Sequence, residues 1–91
     1  MSAEAKLAWA TADAASSCFT ESDRISVYTA LGAGETYSAI VRILAITVQA
    51  RHSLPAKLVS QLSTWLDSYA GDVNEPTIRS LLNGVGLRPR R

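Results

Sequence analysis

The stretch ALGAGETYSAIVRIL, residues 30–44, places two glycines between two apolar segments. Apolar residues recur at helical spacing on both sides, so the glycines mark the end of one helix and a corner that leads into the next. Glycine ends helices because it adopts a left-handed backbone conformation without a steric penalty. We expect a positive φ at one or both of Gly32 and Gly34, with Gly34 the better candidate because it leads directly into the next helix. We expect both glycines to serve geometry rather than ligand binding.

The same corner lacks the features of a phosphate-binding loop. Such a loop follows a strand and ends in a lysine and a serine or threonine at the start of a helix. Here the preceding segment has a helical pattern, and Glu35 occupies the position at which an anion would dock. Because like charges repel, the sequence argues against nucleotide binding at this corner.

The apolar segment after the glycines predicts a central helix over residues 35–51. Large apolar side chains cover most of its circumference and leave a narrow polar stripe, formed by Glu35, Ser38, Arg42 and Gln49. A helix that is apolar on most sides is buried among other helices. The absence of apolar–polar alternation also argues against a strand.

Turn residues and caps delimit four further helices, predicted over residues 3–18, 21–31, 55–70 and 75–82. Thr20 and Asp23 form a capping-box pair at the start of the second helix. In that helix, Ile25, Tyr28 and Leu31 are expected to face the core, with Val27 beside them. The predicted fold is therefore a compact all-α bundle of four to five helices around the apolar third helix.

The last two helices set the predicted end of the domain. The fourth helix has the clearest apolar stripe, formed by Leu58, Leu62, Trp65, Leu66 and Tyr69. Trp65 lies in the middle of this stripe and is expected to be mostly buried. Gly84 is expected to follow the fifth helix as its stop. The sequence thus predicts a single helical domain over residues 1–84 and a basic C-terminal tail over residues 85–91.

The first helix has two possible buried faces. One stripe contains Leu7, Ala10, Ala14 and Cys18, and Trp9 points to nearly the opposite side together with Ala5, Ala12 and Ser16. Either the small residues pack closely and Trp9 is exposed, or Trp9 points inward. The large area that a tryptophan buries favours the inward position.

The composition is typical of one small globular domain. Hydrophobic residues make up 47% and charged residues 19% of the 91 residues, and the single cysteine excludes an internal disulfide framework. The start of the chain has no secretory signal, and no apolar stretch approaches the ~20 residues of a membrane span. We therefore expect a cytoplasmic protein without membrane association. Seven arginines against two lysines, with abundant alanine, are typical of a bacterial protein from a GC-rich genome.

Charge is distributed unevenly along the chain. Residues 1–78 contain five basic and eight acidic side chains, a net −3, whereas residues 79–91 contain four arginines and no acid, a net +4. A weakly acidic body therefore precedes a basic end that contains Arg88, Arg90 and Arg91. These side chains are suited to nucleic acid, to an acidic partner or to membrane phosphates, but the segment is too short to anchor at a membrane alone.

The glycine corner also resembles a DNA-binding unit. Four positions match the small–glycine–aliphatic–aliphatic spacing of helix-turn-helix proteins: Ala30, Gly34, Ile40 and Ile43. The resemblance covers about 20 residues and implies DNA binding through residues 25–44 and the basic tail. Glu35 departs from the apolar residue that usually follows the turn. The implied recognition helix offers DNA few groups, namely Thr36, Tyr37, Ser38 and Arg42, so we expect nucleic-acid binding to be weak.

Catalytic and metal-ligating residues do not converge in the sequence. His52 is the single histidine and Cys18 the single cysteine. A nucleophilic dyad would need both side chains within hydrogen-bonding reach, and a zinc site would need two carboxylates besides them. We expect no enzymatic activity, no cofactor and no metal.

The sequence is best interpreted as a non-catalytic protein–protein interaction or self-association module. Large apolar side chains are numerous for a domain with so small an interior, and some are expected in exposed patches of the kind that mark interfaces. The candidate surface residues are Trp9, Tyr37, Arg42, Arg88, Arg90 and Arg91. The expected partner is another protein or a second copy of the chain, and a helix-turn-helix DNA-binding protein is the alternative.

Overall fold

Five α-helices follow one another along residues 2–86, which are the residues that the computed structural model describes. They are α1 (Ala3–Ala15), α2 (Glu21–Gly32), α3 (Thr36–Gln49), α4 (Ala56–Asp67) and α5 (Glu75–Gly86), with a short 3-10 helix, Ser16–Cys18, after α1. The prediction of an all-α bundle is confirmed. Arg88, Arg90 and Arg91 lie outside the described residues.

The third helix is the centre of the bundle, as predicted. It packs against α1, α2 and α5, and α4 completes the bundle by packing against α5 and α1. Its buried side chains are Ala39, Ile40, Ile43, Leu44 and Thr47. The buried Thr47 hydroxyl donates to the carbonyl oxygen of Ile43 at 2.6 Å, so burial leaves this polar group satisfied.

The glycine corner is a helix C-terminal motif. Gly34 has φ +81°, which confirms the predicted positive φ. Its N–H donates to the carbonyl oxygen of Leu31 at 3.1 Å, and the N–H of Glu35 donates to that of Ala30 at 2.9 Å. This pair of bonds is the Schellman motif, in which a left-handed residue ends the helix and reverses the chain.

The same motif ends α3 without a glycine. Arg51 takes the left-handed position with φ +55°. The N–H of Arg51 donates to the carbonyl oxygen of Val48, and the N–H of His52 donates to that of Thr47, both at 3.1 Å. A side chain in this conformation costs about 1–2 kcal/mol, so the corner after α3 carries a strain that Gly34 avoids after α2.

The buried face of α1 lies between the two possible faces. Its buried residues are Ala8, Thr11, Ala12 and Ala15, of which Ala12 belongs to the stripe of Trp9. Ala10, in the other stripe, is exposed. Trp9 is partly buried at the edge of this face, where its ring lies 5.7 Å from that of Tyr28. The small side chains allow α1 to pack closely on α3, and the aromatic ring packs beside them.

One predicted core position needs correction. Ile25 is 63% exposed, because α2 turns Val27, Ala30 and Leu31 toward the core. Trp65 is mostly buried, as predicted, and packs against the core beside the buried leucines of α4, which are Leu58, Leu62 and Leu66.

The predicted end of the last helix is also wrong. Helix α5 continues to Gly86, and Val85 is buried. Gly84 therefore lies inside α5 and does not stop it. A Cβ atom at Gly84 would lie 3.2 Å from Cγ2 of Val48, so this glycine allows α5 to approach α3 closely.

The two glycines of the corner provide a matched pair of substitutions. Gly32 is helical and nothing lies within 4 Å of a Cβ atom placed there. We expect Gly32→Ala to raise the free energy of unfolding by about 0.5–1 kcal/mol. Gly34→Ala should lower it by about 1–2 kcal/mol, because alanine is penalised at a positive φ. Denaturant melts of both variants test this, and stabilisation by both would contradict the left-handed geometry at Gly34.

Candidate interaction surface over the third helix

A groove crosses the exposed side of α3 between α2 and α5. One cavity of about 430 Å³ is lined by Tyr37, Ser38, Val41, Arg42, Ala45, Asn74, Thr77 and Ile78. A second of about 530 Å³ is lined by Ser22, Asp23, Ser26, Arg42, Ala45, Ile46, Val48, Gln49 and Leu81. The two cavities are adjacent, because Arg42 and Ala45 line both, and together we call them the α3 groove.

The floor of the α3 groove is the exposed stripe of the central helix. Ser38, Arg42, Ala45 and Gln49 are exposed, and they recur at the helical spacing that places them on one face. The short side chains of Ser38 and Ala45 leave space on either side of Arg42. The polar stripe that marks α3 in the sequence therefore becomes the floor of a depression whose walls belong to α2 and α5.

Arg42 presents an unpaired cation at the middle of the groove. Within residues 2–86, the ion pairs involve Arg79 and not Arg42. Asp23, the carboxylate among the lining residues, accepts the N–H of Thr20 at 3.0 Å in the predicted capping box. The Arg42 guanidinium thus keeps its planar set of donors available for a carboxylate from outside.

Two exposed aliphatic side chains lie next in the chain to residues of the groove. Among the described residues, the large hydrophobic side chains that are exposed are Ile25, at 63%, and Val73, at 87%. Val73, in the segment between α4 and α5, directly precedes the lining residue Asn74 and therefore lies next to the groove. Ile25 precedes the lining residue Ser26 on α2, but successive residues of a helix point about 100° apart, and Ile25 lines neither cavity.

Tyr37 contributes to the groove and to an aromatic cluster beneath it. Its ring centroid lies 5.0 Å from that of Tyr69 and 5.7 Å from that of Trp65. The Tyr37 hydroxyl is buried and has no hydrogen-bond partner within residues 2–86. Packing is the main role of this side chain. Of the predicted surface residues, Tyr37 and Arg42 come together in the groove, whereas Trp9 lines neither cavity.

A carboxylate from α1 ties this cluster to the start of the chain. Glu4 accepts the indole N–H of Trp65 at 3.3 Å and the hydroxyl of Tyr69 at 3.1 Å. We call this arrangement the Glu4 clasp. Burial, and then the hydrogen bond and negative charge of Glu4, raise the pKa of Tyr69 above its ordinary value. The clasp holds the first turn of α1 against the end of α4.

The geometry around α3 weighs against the helix-turn-helix alternative. Helices α2 and α3 do follow each other across a short turn, as in such a unit. An α-helix with its side chains is about 10–12 Å across and already fills a major groove of about 12 Å. Because α2 and α5 form walls beside Arg42, the exposed face of α3 is recessed and does not protrude as a DNA-reading helix must.

The environment of Cys18 does not resemble that of a nucleophile. Burial raises the pKa of its thiol, and the thiol donates to the carbonyl oxygen of Ala15 at 3.1 Å. Reactive cysteines need the opposite shift, toward the thiolate. Among residues 2–86, no three metal-ligating side chains form a group that could hold an ion. In the same part of the chain, no helix combines the length and apolar character needed to cross a membrane.

Sequence reasoning did not identify Ile25 or Val73 as surface residues. For Ile25 a signal existed, because its neighbours one turn away, Glu21 and Thr29, are both polar and mark an exposed line on α2. Val73 lies in the segment between α4 and α5, where no helical periodicity indicates which way it points. The walls of the groove depend on how α5 packs against α3, and the local sequence does not predict this packing.

No protein-family model matches this chain, and no curated protein or solved structure matches it significantly. Its function is therefore inferred from its own residues.

The Glu4 clasp predicts a specific loss of stability. Glu4→Gln removes the charge that the two donors share, and we expect the free energy of unfolding to fall by about 1 kcal/mol at neutral pH. Glu21→Gln is the matched control, because Glu21 also lies in the first turn of a helix but is exposed. An equal loss in both variants would show that Glu4 acts through the helix dipole alone.

The raised pKa of Tyr69 predicts a loss of stability at alkaline pH. The folded chain holds the Tyr69 proton more tightly than the unfolded chain. The protonated Tyr69 side chain therefore contributes to the free energy of unfolding. This contribution is fully present below about pH 10, the pKa of tyrosine in an unfolded chain, and it is lost as the pH rises through the higher pKa of the folded chain. In Tyr69→Phe, the free energy of unfolding should depend less on pH in this alkaline range. Ultraviolet titration of the tyrosinates should show the pKa of Tyr69 lower in Glu4→Gln than in the wild-type chain.

Proposed function

We propose that this chain is a non-catalytic interaction module that binds a protein surface through the α3 groove. The observation that carries this proposal is a groove with aliphatic side chains in its lining and with Arg42, which has no ion-pair partner within residues 2–86, on its floor. The exposed Val73 directly precedes the lining residue Asn74, and an apolar side chain exposed beside a depression is typical of an interface.

The lining of the groove supports a protein partner. The walls and floor supply aliphatic surface from the partly buried Val41, Ile46 and Leu81, which suits apolar side chains. Serine and threonine hydroxyls and the amide of Asn74 surround it with polar groups. A partly apolar centre with a polar rim is the usual anatomy of a protein interface, and arginine is frequent among its anchors.

The basic tail supports at most a secondary role in nucleic-acid binding. The body of the chain is net acidic over residues 1–78, so affinity for DNA would come from Arg88, Arg90 and Arg91 together with Arg42. Three or four phosphate contacts give a modest, sequence-independent affinity that falls steeply with salt.

We place this interaction module in the bacterial cytoplasm, on the composition of its sequence.

Two alanine positions provide the test. Ala45 is exposed at the centre of the α3 groove, and Ala10 is exposed on α1, away from both cavities. We expect Ala45→Glu to weaken binding to a purified partner at least about tenfold, as measured by calorimetry, because it places a carboxylate where the partner must dock. Ala10→Glu adds the same charge to a helix surface and should leave affinity unchanged.

The partner for this measurement is sought by affinity capture from extracts and by light scattering of the chain alone. Both variants should keep the thermal stability of the wild-type chain. Equal binding by all three proteins would contradict the proposed surface. Binding that disappears on deletion of residues 88–91 and survives Ala45→Glu would favour nucleic acid or another acidic ligand of the tail.

A further inference from the structure

The segment between α4 and α5 presents an apolar knob next to the α3 groove. Val73 is 87% exposed. It directly precedes Asn74, which lines the same cavity as Arg42. Asp72, on its other side, is also exposed. An exposed apolar side chain and a carboxylate therefore lie next in the chain to a cavity that contains a guanidinium.

The backbone hydrogen bonds of this segment fix the position of the knob. The N–H of Asp72 donates to the carbonyl oxygen of Tyr69 at 2.9 Å, directly after Gly71 at φ +92°. The carboxylate of Asp72 accepts the N–H of Asn74 at 2.8 Å. A side chain that is held in place before binding loses less conformational freedom when it docks.

We propose that the occupant of the α3 groove is a second copy of this chain, with Val73 of each protomer seated in its partner's groove and Asp72 facing the partner's Arg42. This inference rests on the proposed function. A twofold dimer needs one patch that is complementary to itself. Val73 and Asp72 supply the projecting apolar group and the negative charge, and the cavity around Arg42 supplies their complements.

The twofold arrangement forms each contact twice. Every Asp72–Arg42 pair and every Val73 contact occurs once on each side of the axis. The carboxylate remains charged while it accepts the N–H of Asn74, so it keeps acceptor capacity for a guanidinium. The basic tail is a poor occupant of the same groove, because Arg88, Arg90 and Arg91 carry the same charge as Arg42.

Charge reversal tests this dimer on the purified full-length chain. Light scattering and sedimentation equilibrium over a concentration series should show a dimer for the wild-type chain. Arg42→Asp and Asp72→Arg should each weaken the dimer by about tenfold or more, because each places like charges opposite one another twice. Lys57→Asp reverses an exposed charge on α4 and is the matched control, which should remain dimeric.

Mixing the two charge-reversal variants is the decisive experiment. In an equimolar mixture of Arg42→Asp and Asp72→Arg, both ionic contacts of the heterodimer are again between opposite charges, so dimer should reappear. The double variant should likewise form a homodimer. Circular dichroism melts identify any loss of folding, and Val73→Ser, at a position exposed in the monomer, should abolish the dimer without lowering monomer stability.

The outcomes separate this inference from the proposed function. A wild-type chain that stays monomeric up to the highest concentrations overturns the dimer, while binding of another protein that Ala45→Glu removes still supports the interaction module. A dimer that neither reversal weakens, or that the mixture does not restore, overturns the proposed pairing. A dimer that also survives Ala45→Glu lies on another face and contradicts the α3 groove as its interface.

Discussion

Burial of α3 is the constraint on which the rest of the structure depends. Ile40, Ile43 and Leu44 are almost completely buried, and each such side chain contributes about 1.5–3 kcal/mol when it leaves water. No single neighbour can cover a helix that is apolar on most sides, so α1, α2 and α5 surround it. The narrow stripe around Arg42 remains open, and its position between two covering helices makes it the floor of a groove.

Hydrogen bonds and ion pairs connect the helices around α3 at the edge of the bundle. The Glu4 clasp joins α1 to α4. Arg79 joins α5 to α4, because its guanidinium donates to Glu75 at 2.9 Å, to Asp67 at 3.0 Å and to Ser63 at 3.2 Å. Exposed ion pairs contribute little stability each. Their effect here is geometric, since they fix the position of α5, which forms one wall of the groove. Arg79 lines neither cavity, and Arg42 is the basic residue in the lining of both.

Aromatic residues pack at the edge of the core, although they first suggest an interface. They form two clusters, one of Trp9, Phe19 and Tyr28 and the other of Tyr37, Trp65 and Tyr69. Phe19 is buried, the other five are partly buried, and Tyr37 also lines the groove. Aromatic rings contribute large buried areas to a small bundle. Among residues 2–86, the large hydrophobic side chains that are exposed are aliphatic, namely Ile25 and Val73.

The sequence by itself determined the features that depend on neighbours along the chain. The helical periodicity, the capping box at Thr20 and Asp23 and the positive φ of Gly34 all follow from local backbone chemistry, and the apolar pattern of α3 required a central position. The tertiary structure decided the exposure of Ile25, the buried face of α1, the role of Gly84 and the existence of the α3 groove. Each of these depends on which helix approaches, and how closely. Gly84 is the clearest case, because its meaning changes from a helix stop to a packing contact once Val48 lies beside it, and Val48 is distant in sequence.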